Sequence, residues 1–433
     1  MAVSSISRTQ EIVQAIFLFQ SKVYLACNDT KKIMEKKPKI LLVHNYYKIP
    51  GGEDTVVANE KKLLEDNGHE VVLYTRSNSE IDRFSFFQKL MLPFRAIFNR
   101  KTYRDIKKII REQHIDIVHV HNTLTLISPS VYYAALKCKV PVVQTIHNFR
   151  LICPAATLYR DGHICEECLN HGLHCAVKHK CYRNSRLQTR ISVAILKRHR
   201  RRGIYKKINY ICLTEFNKKM ICDHSQIKPE QVFVKPNFTF QEEGIEIVPY
   251  EKRKRQFVFV GRLDKLKGID LLFDAWAMMG DAAPELVVCG SGPMGEWCKE
   301  FIAEHNISNI QMLGQVDNIT AKDIMAHSLA LIFPTQVYEG FPMTMVEAFS
   351  VGTPVIAPQM GNAGDLIEEG ENGWKYSQDT QSFLFKIETV LSKHNEGSDI
   401  DISTYQIYER KYMLDKNYDR LITIYYSLMG AAK

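Results

Sequence analysis

Strand-length apolar runs alternate with helical patterns along nearly the whole chain, in two series separated by a polar stretch at 241–255. That alternation constrains the fold more than any other feature, because it predicts parallel sheets covered by helices. The first series runs through 39–43, 71–74, 115–120, 140–145, 210–214 and 231–235. The second runs through 257–260, 286–289, 310–313, 329–333 and 354–357. Two Rossmann-like halves follow, joined near 238–255, and a chain of 433 residues suits two domains that each bury a core. Ligands of such sheets bind at the carboxyl ends of the strands, so the chemistry is expected in the cleft between the halves. No apolar run reaches the length of a membrane span. Ile12 to Phe19 is apolar but short, without a basic run before it or a cleavage site after it, so no signal peptide is expected. Residues 1–36 read as a helix or tail without assignable chemistry.

The charge is concentrated. The net charge is +9, and twelve Lys/Arg with no Asp or Glu fall between Lys178 and Lys207. Without that window the balance is 9 − 12 = −3. Inside it Leu187, Ile191, Ala194 and Ile195 fall at helical spacing, which predicts a basic amphipathic helix across about 186–207 facing an anionic membrane. Nucleic acid is the rival partner, but no stacking aromatics or binding motif accompany the charge, so none is expected. A second stretch, Phe84 to Lys108, interleaves aromatics with Lys89, Arg95, Arg100 and Lys101 and reads equally as core or as an interfacial wedge.

The chemical motifs lie at the expected strand ends. Glu339-Gly340-Phe341-Pro342 follows the strand at 329–333, and Glu347 comes eight residues after Glu339. Gly340 permits close backbone approach, and Pro342 fits the first position of a helix whose free N–H groups attract anions. Gly261-Arg262 ends one strand, and Lys267-Gly268 opens the next helix. Two cations held there can grip a diphosphate as it departs. Gly51-Gly52 follows the first strand, and His119 and His121 end another, with His147-Asn148 as a weaker candidate.

These elements, in this order, resemble glycosyltransferase family 4, the retaining transferases of GT-B fold. The resemblance implies two Rossmann-like domains facing across a cleft, with a C-terminal helix (Ile407 to Leu428) returning to the first. It implies a first domain at 37–240, a nucleotide-sugar domain at 241–405 and the returning segment at 406–433. It gives Glu339, His121, Arg262 and Lys267 the catalytic roles. Donor binding falls to Gly51, Gly52, Gly261, Arg262, Lys267, Gly340, Phe341, Pro342 and Glu347, with Glu347 on the ribose. No catalytic metal is expected: the single Asp-x-Asp, Asp399-Ile400-Asp401, reads as part of a polar linker.

Eleven cysteines without a signal peptide imply reduced thiols. Five of them lie within 29 residues, inside an insertion at 151–183, and Cys165-x-x-Cys168 has zinc-ligand spacing. The surrounding sequence, His147 to Pro154, resembles a surface-polysaccharide subset of the family. That match points to Cys153, Cys165, Cys168 and Cys181 as ligands of a structural zinc, with Cys175 or His174 as alternates. The expected function is transfer of a sugar from a nucleotide diphosphate to a lipid-linked glycan acceptor at the cytoplasmic membrane face, in capsule, exopolysaccharide or O-antigen synthesis. A sugar-nucleotide 2-epimerase and a non-enzymatic nucleotide-sugar sensor are the alternatives.

Overall fold

A computed structural model describes residues 37–48, 51–240 and 244–431; the N-terminal segment 1–36 lies outside them. The first sheet contains β1 (Ile40–Tyr46), β2 (Val71–Ser77), β3 (Ile117–Val120), β4 (Val142–Ile146), β7 (Asn209–Cys212) and β8 (Val232–Val234). Their order is β2-β1-β3-β4-β7-β8, paired parallel throughout. A small hairpin, β5 (Tyr159–Arg160) with β6 (His163–Ile164), sits in the cysteine-bearing insertion. The second sheet contains β9 (Lys254–Val260), β10 (Glu285–Cys289), β11 (Ile310–Gly314), β12 (Ser328–Ile332), β13 (Val355–Pro358) and β14 (Gly373–Tyr376), in the order β11-β10-β9-β12-β13-β14.

The sequence explains this topology. The run Ile40-Leu41-Leu42-Val43 is apolar at consecutive positions and fully buried, as a strand covered on both faces must be. Leu41 and Val43 enter one helical layer, Ile40 and Leu42 the other. In each sheet the chain winds outward from a central strand and then returns to its other side. The reversals fall between β1 and β3 and between β9 and β12. Crevices form at such points, and the loops after β1, β3, β9 and β12 carry the motifs described above.

Seven helices position the rest: α1 (Gly52–Asp66), α2 (Phe86–Leu90), α3 (Leu92–Ile97), α4 (Arg186–Arg201), α5 (Met343–Phe349), α6 (Ile400–Tyr412) and α7 (Leu414–Ala431). The C-terminal segment is two helices where the sequence reads as one. Met413 is extended (φ −62°, ψ 152°) and breaks them. No proline or glycine marks that break. It lets α6 bury Ile407, Tyr408 and Tyr412 in the second domain, while α7 carries Leu421, Ile424 and Tyr425 back onto Ile40, Leu42 and Ile117 of the first.

Three other expectations are corrected. Strand β14 has no counterpart in the sequence reading, because only four residues, Gly373-Trp374-Lys375-Tyr376, form this edge. Asp399 and Asp401 do not lie in a linker: Asp399 caps α6 and Asp401 is buried in its first turn. Helix α4 forms, but its apolar stripe is rotated from the expected one. It buries Ser192, Val193, Ile195, Leu196 and His199, while Leu187 and Ala194 are exposed. The insertion causes the rotation: Val193 and Leu196 pack on Leu173 and Val177, and the Ser192 hydroxyl donates to the Pro154 carbonyl at 3.0 Å.

Candidate active site

The second-domain wall is built from two loops that meet. After β9, Gly261-Arg262 leaves the strand, and a short 3-10 turn, Lys265–Lys267, presents Lys267. Gly268 follows with φ +70°, and a Cβ there would lie 1.9 Å from the Pro334 carbonyl oxygen, so glycine alone permits this approach to the loop after β12. The result joins residues 72 apart in sequence: Lys267 Nζ donates to Glu339 Oε1 at 2.7 Å. The Thr335 hydroxyl donates to the same oxygen at 2.8 Å. Arg262 stays mostly exposed, its Nε 3.2 Å from Asp264 Oδ2. Pro342 sits one residue ahead of α5 instead of at its first position. Glu347 is the fifth residue of α5 and accepts from Asn318 Nδ2 at 3.0 Å; it is not among the residues that line the cleft.

Across from this wall the first domain completes a cleft of about 500 Å³, a size suited to a small-molecule ligand. Gly51, Gly52, Glu53, His147 and Asn148 face Gly261, Arg262, Lys267, Glu339, Gly340, Phe341 and Pro342. A Cβ at Gly51 or Gly52 would meet nothing within 4 Å, so this pair leaves room at the helix start. Gly340 is crowded: its Cβ would lie 2.0 Å from the His147 carbonyl oxygen, so the two domains touch backbone to backbone there. Asn217 of the first domain and Asn362 of the second both donate to the Gly340 carbonyl, at 2.7 and 2.9 Å. The loop holding Glu339 is therefore fixed by both domains.

The histidines are arranged differently from the expectation. His121 is buried, and it lines an adjoining cavity that shares His147 and Asn148 with the cleft. Its Nε2 lies 3.0 Å from Glu60 Oε2 on α1, and its Nδ1 lies 3.0 Å from His147 Nε2. Glu60 also pairs with Lys235 at 2.9 Å. Burial alone would raise the Glu60 pKa, but Lys235 and the neighbouring histidines outweigh it and hold the carboxyl well below its usual range. Burial keeps His147 neutral, with His121 adding to the effect. His121 and His147 share one ring-to-ring hydrogen bond, in which one imidazole donates and the other accepts. The cleft-facing imidazole is thus His147, and Glu60 and His121 orient it. Helix α7 closes the network from below: Tyr425 bonds His119 Nδ1 at 2.7 Å, and Asn417 Oδ1 accepts from Lys235 at 2.9 Å.

Glu53 is a site residue that no sequence motif singles out. It lines the cleft directly after the glycine pair and accepts from Asn122 Nδ2 at 2.9 Å. Burial pushes its pKa up to about 7, against hydrogen bonding from Tyr47 and the charge of Arg150. Its position after Gly51-Gly52 was the available signal. For Glu60 that signal was its place two turns further along the same helix face.

The ten cysteines among the described residues are free thiols. Burial pushes Cys168 up to about 12, with further contributions from Cys153, Cys181 and Cys175. One group of His, Cys, Asp or Glu among the described residues brings three or more ligand atoms within 4.8 Å: Glu60, His119 and His121. Lys235 already neutralises that acid. The four cysteines form no such group, so as arranged they do not close the zinc tetrahedron, whose Zn–S bonds are about 2.3 Å.

Two facing Rossmann-like domains, a returning C-terminal helix and a cation–carboxylate pair at the cleft define the GT-B architecture. The comparisons agree and add the chemistry. Residues 50–239 match the family described as Glycosyltransferase Family 4, and residues 240–406 match Glycosyl transferases group 1. The chain is a GT-B glycosyltransferase, a class that sets aside the epimerase and sensor alternatives. It is similar to an uncharacterized glycosyltransferase of Methanocaldococcus jannaschii, 24% identical over 64% of this chain and 66% of that one. It is also similar to the phosphatidyl-myo-inositol mannosyltransferase of Mycolicibacterium smegmatis, 23% identical over 76% of this chain and 77% of that one. Among solved structures, Anabaena HepE in complex with UDP aligns with a TM-score of 0.63 at 16% identity, covering 90% of this chain and all of HepE.

Proposed function

We propose that this glycosyltransferase is a retaining enzyme of family 4 that moves a sugar from a nucleotide diphosphate to a hydroxyl of a lipid-linked glycan. The product belongs to surface polysaccharide, whether capsule, exopolysaccharide or O-antigen, and the work is done at the cytoplasmic face of the membrane. The observation that carries this reading is the Lys267–Glu339 contact, with Arg262 on the same wall of the cleft. Lys267 and Arg262 stabilise the charge that develops on the leaving diphosphate. The bond between the sugar's anomeric carbon and that diphosphate breaks. The acceptor oxygen bonds to the same face of the carbon, and its proton passes to the departing phosphate oxygen. Glu339 then holds the sugar near its reacting carbon, with His121 and His147 beside it, and Glu347 takes the ribose where the donor extends past the lined part of the cleft. UDP in HepE and the lipid named in the mannosyltransferase support a nucleotide donor and a lipid acceptor here. No step is routed through a metal. A structural zinc on Cys153, Cys165, Cys168 and Cys181 would draw these thiols together and relieve the pKa rise at Cys168. Less than about a tenth of an equivalent in chelator-free protein would end that idea.

The test is donor hydrolysis by purified protein across UDP-, GDP-, ADP- and dTDP-sugars, read as nucleotide release. Release from one donor, lost in Arg262→Ala, is expected. Equal release by Arg262→Ala would overturn the role of the cleft cations.

A further inference from the structure

The molecule carries an apolar projection that none of the catalytic machinery uses. In α2 and α3, Phe86 is 85% exposed, Phe87 67%, Leu90 58% and Phe94 65%. Every residue from Ser85 to Leu90 is exposed. The α2 helix is a single capped turn, with Gln88 N–H donating to the Ser85 hydroxyl, so these side chains are held outward by a formed element. A contiguous exposed cluster of this kind marks a contact surface.

Its surroundings decide the partner. Residues 84–104 hold five Lys/Arg and no Asp or Glu, and residues 178–207 hold twelve and none. The fold makes these segments neighbours: His199 Nε2 on α4 bonds the Ile97 carbonyl at the end of α3 at 2.8 Å. Together the two segments carry 5 + 12 = 17 Lys/Arg, of which Lys101 is paired with Asp105 just beyond the first. The exposed face of α4 carries Arg186, Arg190, Lys197, Arg198 and Arg201. Most of its apolar face is covered by the protein, with Leu187 at its start 68% exposed, so α4 supplies chiefly charge. Exposed aromatics beside a strongly basic surface are the two signals a lasting contact with anionic lipid needs.

We infer that α2 and α3 insert Phe86, Phe87, Leu90 and Phe94 into the interfacial layer of an anionic membrane, while α4 holds the headgroups. This deepens the proposed function, because it rests on a lipid-linked acceptor and names the surface that reaches it. The insertion is assigned to the short helices at 86–97, and the long basic helix acts chiefly by charge.

The experiment is co-sedimentation of the full chain with phosphatidylcholine vesicles, with and without phosphatidylglycerol. Donor hydrolysis is measured in parallel without vesicles. The wild type should bind only the anionic vesicles. Phe86→Ser/Phe87→Ser should weaken binding about tenfold or more, and Arg186→Gln/Arg190→Gln/Arg198→Gln should remove its salt dependence. Both variants should keep wild-type donor hydrolysis. In Phe87→Trp, emission should shift to the blue on anionic vesicles and be quenched by brominated lipid. Wild-type binding by the double serine variant would overturn the insertion, as would Phe87→Trp emission already blue-shifted in buffer and unmoved by vesicles. The latter would mean that residues 1–36 or a second copy covers the patch. A wild type that hydrolyses donor but ignores anionic vesicles would remove the docking surface and leave the transferase reading intact. Vesicle binding without hydrolysis of any donor would do the reverse.

Discussion

Two lysine–glutamate pairs with nearly the same geometry do different things in this molecule. Lys267 and Glu339 meet at 2.7 Å, with side chains 31% and 14% exposed, at the wall of the cleft. Lys235 and Glu60 meet at 2.9 Å with both side chains 1% exposed, beneath the histidine layer. The first pair can exchange partners with a ligand, since water and a phosphate both have access. The second cannot, because breaking it would strand a charge in the core. Contact distance says little about role; solvent access decides it.

The largest effect should come from breaking the buried pair. Lys235→Met leaves Glu60 buried without its lysine, with only the histidines beside it, and should cost about 3–5 kcal/mol in urea unfolding, and adding Glu60→Gln should recover part of it. A loss no larger than that of a surface pair would erase the distinction. Next comes Lys267→Met, expected to lower kcat by about 10²–10³-fold while unfolding free energy moves by less than about 1 kcal/mol. Equal losses of stability in both variants would mean that the cleft pair is structural too. Gly340→Ala forces a Cβ into the His147 carbonyl and should cost about 1–3 kcal/mol or open the cleft. Small-angle scattering would show the opening, and an unchanged profile with unchanged stability would contradict the backbone contact.

The smallest effect concerns Glu53. Burial raises its folded pKa to about 7 from the usual 4.5 of a glutamate. A raised acid favours the folded state while protonated, so its contribution is full below pH 4.5 and is lost as pH rises to about 7. Carboxyl carbon NMR should show one glutamate titrating near that upper value, absent in Glu53→Gln. A Glu53 resonance that titrates in the ordinary carboxylate range would refute the burial argument.

The second domain was more legible than the first. Its inner strands β9, β10, β12 and β13 are built on short apolar runs, and Arg262, Lys267 and Glu339 follow strand ends within short loops, so their convergence could be expected from topology. In the first domain the strand ends are legible, but the order in which the histidines approach the cleft is not. The histidines at 119, 121 and 147 are alike in sequence, and their depth depends on how α1 and α7 pack. Glu60 looked like one more charge on an amphipathic helix. Only burial beside Lys235 distinguishes it.

The sequence alone determined the two-sheet architecture, the alternation that makes it parallel, and the loops that meet at the cleft. Those features rest on local patterns: runs of apolar residues, and glycines where the backbone must turn or approach. Tertiary structure decided which histidine faces the cleft, which side of α4 is buried, and that α3 and α4 pool their charge. It also decided where the C-terminal helix breaks. The physical reason is that burial and long-range contact set these outcomes: partners such as His119–Tyr425 and Lys267–Glu339 lie 306 and 72 residues apart, and no local pattern encodes them.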